Sequence, residues 1–306
     1  MNEKNSHFIF CVKCKGDLSL EILDKTSEIN EGFFFCKNCQ LKFPIISKIP
    51  LLIENLSEFL KNRSSLGGLL FELSLTNTMK KFIKNTLSKI EKSENDFFIT
   101  EKRWTEIYLS NKQSNFYQKI KSKISKIPSK NFVIEYGSSI GIITNRIGLQ
   151  HKHVFGIDTS FSALHEAKKK SPKNCEYILA DIIQHPFGKK KSDLIIALNM
   201  FELVEPSLML KSISKQISIG VIFLSDPYDY DRGKSSVRNP LDENQIRETL
   251  LNNGFKIIKN TQKPAKLNWN LRINKRTQLN YKVDLIIAQK KFLNQRCSHR
   301  DLNPGH

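Results

Sequence analysis

The chain changes its hydrophobic rhythm near residue 130. Before that point apolar residues recur at three- and four-residue steps: Leu56, Phe59 and Leu60, then Met79, Phe82, Ile83, Leu87 and Ile90. This spacing predicts helix over 54–92, interrupted by Gly67-Gly68 as a hinge. Residues 91–96 read as a loop. A further helix runs from about Trp104, and another spans 115–127 up to Pro128. Beyond 131 short apolar runs of strand length alternate with helical stretches. Strands are predicted at 132–136, 153–157, 175–180, 193–198, 220–224, 255–259 and 283–289, and helices at 161–170, 206–216 and 242–253. Such alternation predicts an α/β domain with a parallel sheet and crossover helices, closed by a late hairpin-like return.

Composition changes this picture little: 39% of the residues are hydrophobic and 26% charged, as in ordinary folded chains. No apolar run reaches bilayer-spanning length and the first residues lack the layout of a secretion signal, so a cytoplasmic protein without a membrane partner is expected. Charge changes it more. The formal net charge is +19, with −1 over residues 1–60, +9 over 61–130, +2 over 131–235 and +9 over 236–306. The excess therefore sits in the helical connector and the last third, as a polyanion such as RNA would require. The competing explanation is biased coding, since Lys outnumbers Arg by 39 to 10 and Lys is the poorer bidentate phosphate ligand.

Four of the six cysteines form two pairs, Cys11-Val12-Lys13-Cys14 and Cys36-Lys37-Asn38-Cys39. Two residues between thiolates let a tight turn aim both sulfurs at one ion, and two such turns complete a tetrahedral zinc site with no open position. That metal holds structure; Lys13, Lys15 and Lys37 would offset part of the thiolate charge. Disulfides or buried free thiols are the alternatives. Cys175 and Cys297 have no pairing pattern and read as incidental. After the second pair comes Phe43-Pro44-Ile45-Ile46, then Ile49-Pro50-Leu51-Leu52. Residues 8–53 thereby resemble the small zinc-binding activator subunit of tRNA, rRNA and release-factor methyltransferases, with Lys48 where that family has glycine. The resemblance implies that such help is here provided in cis.

The first strand of the main domain ends Glu135-Tyr136-Gly137-Ser138-Ser139-Ile140-Gly141. A turn built on Gly137 brings backbone against a ligand, and Gly141 lets the next helix pack close to the strand. The pattern resembles motif I of class I S-adenosylmethionine-dependent methyltransferases, with Ser139 at the middle glycine. It lacks the Gly-x-Gly-x-x-Gly of dinucleotide binders. The resemblance implies a Rossmann-like seven-stranded methyltransferase sheet and assigns the cofactor site. Glu135 would receive the cofactor ammonium, the Gly137–Gly141 turn with Ser138 and Ser139 its methionine portion, and Asp158-Thr159 the ribose hydroxyls. Asp181-Ile182 would flank the adenine, and Asn199 would close the fourth strand.

The acceptor side is less marked. The fourth strand carries no Asn-Pro-Pro-Tyr loop. The fifth ends Ser225-Asp226-Pro227-Tyr228-Asp229-Tyr230-Asp231, where Asp226 or Tyr228 could take a proton from the acceptor, unless this is only a solvated turn. Trp104, Tyr108, Phe116 and Tyr117 read either as an aromatic lid or as packing residues. The basic insertion from Trp269 to Arg276 either contacts acceptor or RNA, or covers a sheet edge. The domain plan is a zinc ribbon over 1–54, a helical connector or lid over 55–130, a methyltransferase domain over 131–293 and a disordered tail over 294–306. The expected function is methyl transfer to an unknown acceptor, with RNA or a translation protein ahead. A small-molecule nitrogen heterocycle and a non-catalytic RNA- or protein-binding adaptor are the alternatives.

Overall fold

Alternating burial along the central strands sets the architecture. In β5 (Phe132–Tyr136) Ile134 and Tyr136 face one layer and Val133 the other. Phe155 and Val154 divide in the same way on β6 (His153–Asp158). Strands apolar on both sides belong in the middle of a parallel sheet covered by helices. The computed structural model describes residues 1–91, 93–233, 237–264 and 266–290, and among them that sheet is the organising layer.

The N-terminal part is a four-stranded antiparallel sheet of β1 (Ser19–Lys25), β2 (Ile29–Phe35), β3 (Lys42–Ile46) and β4 (Ile49–Pro50). Helices α1 (Leu56–Lys61), α2 (Ser64–Leu73), α3 (Asn77–Leu87), α4 (Phe97–Ser110) and α5 (Asn115–Ile124) follow. After β5 come α6 (Ile142–Gly148), β6, α7 (Phe161–Lys169), β7 (Cys175–Leu179), β8 (Leu194–Leu198), α8 (Pro206–Gln216) and β9 (Gly220–Asp226). The chain continues through α9 (Glu243–Asn252), β10 (Phe255–Ile257), β11 (Leu267–Arg272) and β12 (Gln278–Lys290). The large sheet runs β10-β12-β9-β8-β5-β6-β7, and β11 pairs with β12 off this path. Neighbours from β9 to β7 are parallel, while β12 is antiparallel to β9, β10 and β11. One face packs under α8, α9 and ribbon residues such as Phe8 and Phe34; the other packs under α4 to α7.

The predicted strands all form, and three expectations change. The stretch 54–92 is three helices rather than one, and Gly67-Gly68 is not the hinge. Both glycines lie inside α2, where a Cβ on Gly67 would run into Leu87, so the missing side chain allows α3 to close against α2. The chain turns instead at Asn62-Arg63 and at Ser74 to Thr76. The helix expected from Trp104 starts at Phe97. Asp96 is the reason: it accepts from the Phe98 N–H at 3.2 Å and also from the Ser65 N–H at 2.9 Å, capping α4 and α2 together. The insertion between the last strands is β11, which doubles β12 back on itself, and its Trp269 is buried. The segment 294–306 and Cys297 lie outside the described residues.

The ribbon is joined to both neighbours. Leu51 makes a parallel bridge to Leu179, and the Leu52 N–H donates to the Leu179 carbonyl at 2.8 Å, so the ribbon continues the sheet beyond β7. Phe10 N–H reaches the Pro186 carbonyl at 2.7 Å. Toward the helices, the buried Glu31 of β2 accepts from the backbone N–H groups of Leu75 and Thr76 at the α2–α3 corner. Losing that carboxylate removes the partner of two partly buried donors, so Glu31→Ala should destabilise the protein by about 1–2 kcal/mol. A lower thermal midpoint for that variant checks this, and an unchanged midpoint counts against the join.

Candidate functional site

The turn after β5 is left-handed at three positions. Gly137 (φ +69) and Gly141 (φ +71) need glycine twice over, for conformation and for space. A Cβ on Gly137 would collide with the Met200 sulfur, and one on Gly141 would meet the Tyr177 hydroxyl and lie 2.9 Å from Ala167 Cβ. Ser139 is also left-handed (φ +46), at the place where motif I carries its middle glycine. A side chain there costs about 1–2 kcal/mol. Asp158 helps to hold this conformation, accepting from the Ser139 N–H at 2.8 Å and from the Ser160 N–H at 2.8 Å.

This turn forms one wall of a cavity of about 720 Å³ at the carboxyl ends of β5, β6 and β8, the crevice where open α/β sheets bind ligands. Glu135, Gly137, Ser138, Ser139, Asp158, Thr159 and Asn199 all line it. Glu135 is buried beneath it and accepts from the Thr144 hydroxyl; burial pushes its carboxyl up to about 8. Burial also raises the Asp158 carboxyl, against the pull of the Ser160, Ser139 and Thr159 amides. The Ser138 hydroxyl is buried without a protein partner, as a ligand-facing group would be. Asn199 holds its own left-handed turn (φ +57), with its side chain on the Ser225 hydroxyl at 3.2 Å.

Other expected residues stand elsewhere. Gly141 works behind the wall. Asp181 and Ile182 are not among the lining residues; the Asp181 carboxylate accepts from the Ile183 N–H at 2.6 Å, and Ile182 is in the core. Asp226 and Tyr228 do not line the cavity either. Asp226 is buried, accepts from the Phe201 and Tyr228 N–H groups at 2.8 Å each, and is pushed by burial up to about 7. The Tyr228 hydroxyl donates to Asp284 at 3.0 Å, and Asp284 in turn receives Arg247 at 2.7 and 2.9 Å. These groups tie β9, β12 and α9 together.

The roof comes from the helical connector and the hairpin. Trp104, Tyr108 and Tyr117 line the cavity, whereas Phe116 is core, packed on Trp269 at 5.4 Å. Three of the four aromatics thus face the cavity, and the fourth is a packing residue. Arg63, Phe97 and Glu101 also line it and were missed in the sequence. Arg63 pairs with Glu101 at 2.7 Å and lies over the Phe59 ring at 4.1 Å. Nothing in the spacing marks them, because α2 and α4 bring them together only after folding. Trp269, noted for its basic neighbourhood, lines the cavity as well, and its buried indole N–H has no protein partner.

Away from this crevice the sulfurs of Cys11, Cys14, Cys36 and Cys39 all lie within 4.8 Å of one another, with Cys14 and Cys36 at 3.5 Å. A tetrahedral zinc with bonds of about 2.3 Å needs sulfurs about 3.8 Å apart, so the donor set fits. Left-handed Lys15 (φ +60) and Gln40 (φ +57) close the two knuckles. Lys13 pairs with Glu54 at 2.9 Å, and the Lys15 ammonium donates to the carbonyls of Val12 and His185 at 2.8 and 3.0 Å. Cys175 is free and buried in β7, away from this cluster.

Residues 134–224 match the family model of a methyltransferase domain. Over that stretch the chain carries a methyltransferase domain, on a Rossmann-like sheet. No curated protein matches the sequence. Among solved structures, magnesium protoporphyrin IX methyltransferase from Synechocystis PCC 6803 is similar over 62% of this chain and 93% of its own, at 17% identity and a TM-score of 0.47. A chain from the complex of the Trm112 methyltransferase activator with a methyltransferase from Haloferax volcanii is similar over 62% and 95%, at 11% identity and 0.49. The N-methyltransferase NodS from Bradyrhizobium japonicum WM9 is similar over 58% and 99%, at 12% and 0.46. Likeness at this level says nothing of substrate. No helix among the described residues is long and apolar enough to cross a membrane.

Two measurements bear on the crevice. Asp158→Ala should weaken S-adenosylmethionine binding about 10- to 150-fold by calorimetry, from charge-assisted bonds of roughly 1.5–3 kcal/mol; equal affinity would remove Asp158 from the site. Glu135 binds its proton more tightly folded than unfolded, so its contribution is full below about pH 4.5 and declines as pH rises through about 8. The ligand-free thermal midpoint should fall from about pH 4.5 to 8 and level off above that, and fall less in Glu135→Gln. Parallel curves for the two proteins would contradict the assignment.

Proposed function

We propose that the protein methylates an RNA or a translation-related protein with S-adenosylmethionine, and that its own zinc ribbon serves the catalytic domain as an activator in cis. The observation that carries the cofactor half is the single cavity shared by Glu135, the Gly137–Ser139 turn, Asp158, Thr159 and Asn199. In this reading the turn lies along the methionine portion, Glu135 faces the ammonium, and Asp158 accepts from the ribose hydroxyls. Asp181 and Ile182 stand outside the lining and take no part in this cradle. The cofactor supplies the methyl group by displacement at its sulfonium. What the residues contribute is alignment and exclusion of water, so Asp226 and Tyr228 are needed for architecture rather than as proton acceptors.

The metal half of the reading is a structural zinc on Cys11, Cys14, Cys36 and Cys39. Cis activation is supported by the two joins of the ribbon, to β7 through Leu51 and Leu52 and to the lid helices through Glu31. It is also supported by the likeness of residues 8–53 to the activator subunit. A second reading, methylation of a small nitrogen heterocycle, is favoured by the aromatic roof of Trp104, Tyr108 and Tyr117.

Incubating the purified protein with methyl-labelled S-adenosylmethionine and cell extract, then separating RNA, protein and metabolite pools, tests both. Label in RNA or protein, absent with Asp158→Ala, is the expected result. Label confined to metabolites selects the second reading. Cofactor binding with no labelled pool would overturn methyl transfer and leave a binding adaptor.

A further inference from the structure

Two acid-free stretches meet beside the cavity. Residues 107–134 contain six lysines and no Asp or Glu, and residues 249–283 contain eight Lys or Arg and again no acid. The first stretch holds α5 and the second holds β11 with its turn into β12. They are locked together: Phe116 packs on Trp269 at 5.4 Å, and Asn111 exchanges hydrogen bonds with the backbone of Arg272 at 2.8 and 2.9 Å. Lys112, Lys119, Lys123 and Lys126 are exposed on the first, and Lys266, Arg272, Lys275, Arg276 and Lys282 on the second. Neighbouring α6 adds the exposed Arg146, close enough that its charge, after burial, lowers the pKa of Lys121.

Among the described residues, none of these exposed lysines and arginines is in an ion pair with a carboxylate. On α4, Glu101 is taken by Arg63, which leaves Glu106 as the exposed acid of that helix; Asp284, where the second stretch ends, is buried against Arg247. Uncompensated cations repel one another and cost stability unless a polyanion shares the surface. The surface also has a direction, because Tyr117 of α5 and Trp269 of β11 line the cavity itself. A polyanion held on it would present its own groups to the methyl-transfer crevice.

We propose that α5 and the β11–β12 hairpin form a collar for the phosphate backbone of a looped RNA, which delivers one unstacked base toward Tyr117 and Trp269. The proposal rests on the methyltransferase reading and narrows its acceptor to RNA. A roofed cavity admits a base only after it leaves its stack, and RNA loops offer such bases ready-made. The Trp269 indole N–H then supplies a donor for a ring nitrogen or carbonyl of the base. Phosphate contacts of this kind set position and affinity and leave sequence to the few groups in the cavity.

The test is fluorescence anisotropy with a labelled hairpin RNA over a salt series. A variant carrying Arg272→Glu, Lys275→Glu and Arg276→Glu is compared with one carrying Lys81→Glu, Lys84→Glu and Lys89→Glu on and just after α3, which has the same net charge. The collar variant should lose at least about 10-fold in affinity and roughly 2 in the slope of log K against log salt, while the α3 variant loses far less. Equal losses, or none, would overturn the collar. So would displacement of the RNA by polyglutamate at equal charge, which would indicate an acidic protein partner. S-adenosylmethionine affinity, measured by calorimetry on the same preparations, should match the parent in both variants. If the parent binds no cofactor but the collar binds RNA, the enzyme reading alone falls. Should the triple variant misfold, the pair Lys275→Ala and Arg276→Ala, confined to the exposed turn, is compared at equal charge with the pair Lys84→Ala and Lys89→Ala.

Discussion

The structure depends on how the open edge at β7 is closed. A sheet edge presents unpaired N–H and C=O groups, which must find partners or invite another chain. Here the partner is Leu51-Leu52, leaving the ribbon immediately after β4 and running parallel to β7. The join is not only backbone. Phe8 packs against Phe132 and Phe155 at 4.9 and 5.3 Å, and Asn2 and Asn5 bond to the buried Glu176 of β7 at 2.8 and 2.9 Å. Ribbon and catalytic sheet therefore share a core, and the cysteine knuckles stabilise the side of the large sheet as well as their own hairpins.

From that anchor the helical connector acquires its position. Glu31 fixes the α2–α3 corner, and Asp96 caps α2 and α4 together, so the start of α2 and the start of α4 cannot move apart independently. Arg63 and Glu101 lie near those two starts, and their pair forms part of the cavity roof. A continuous set of hydrogen bonds thus runs from the ribbon to the roof of the crevice. The help in cis proposed for the ribbon would then act through position, since these hydrogen bonds bear on where the roof sits.

Legibility in the sequence followed the range of the interactions. The strands of the large sheet were readable because doubly buried strands are apolar throughout. The Gly137–Gly141 turn was readable because left-handed backbone and close packing select glycine locally. Asp158 was readable as a carboxylate at a strand tip. The break positions in the connector were not, since Gly67 signals helix contact with Leu87 rather than a bend, and the true corners depend on Glu31 and Asp96, which are distant in sequence from one or both segments they hold. Asp226 and Tyr228 looked chemical for the same reason that singled out Asp158, a polar residue after a strand, but of these Asp158 alone lines the cavity. Arg247 and Asp284, reached only through tertiary pairing, draw Tyr228 away from the cavity.

The electrostatics of the cavity narrow what it can hold. Glu101, Glu135 and Asp158 are all held above their ordinary range, burial being the first cause in each, and the neighbouring Asp158 charge pushes Glu101 and Glu135 further the same way. Among the described residues, Arg63 is the lysine or arginine in the lining, and it is committed to Glu101. Such a site gains most from a ligand that brings its own positive charge, because that charge relieves both the desolvation and the mutual repulsion of the carboxylates. A sulfonium compound with a free ammonium does this at two points, whereas a nucleoside phosphate would add to the repulsion. An anionic partner of the kind proposed would then bind outside the cavity, on the basic elements at its mouth, with the aromatic roof between it and the cation inside.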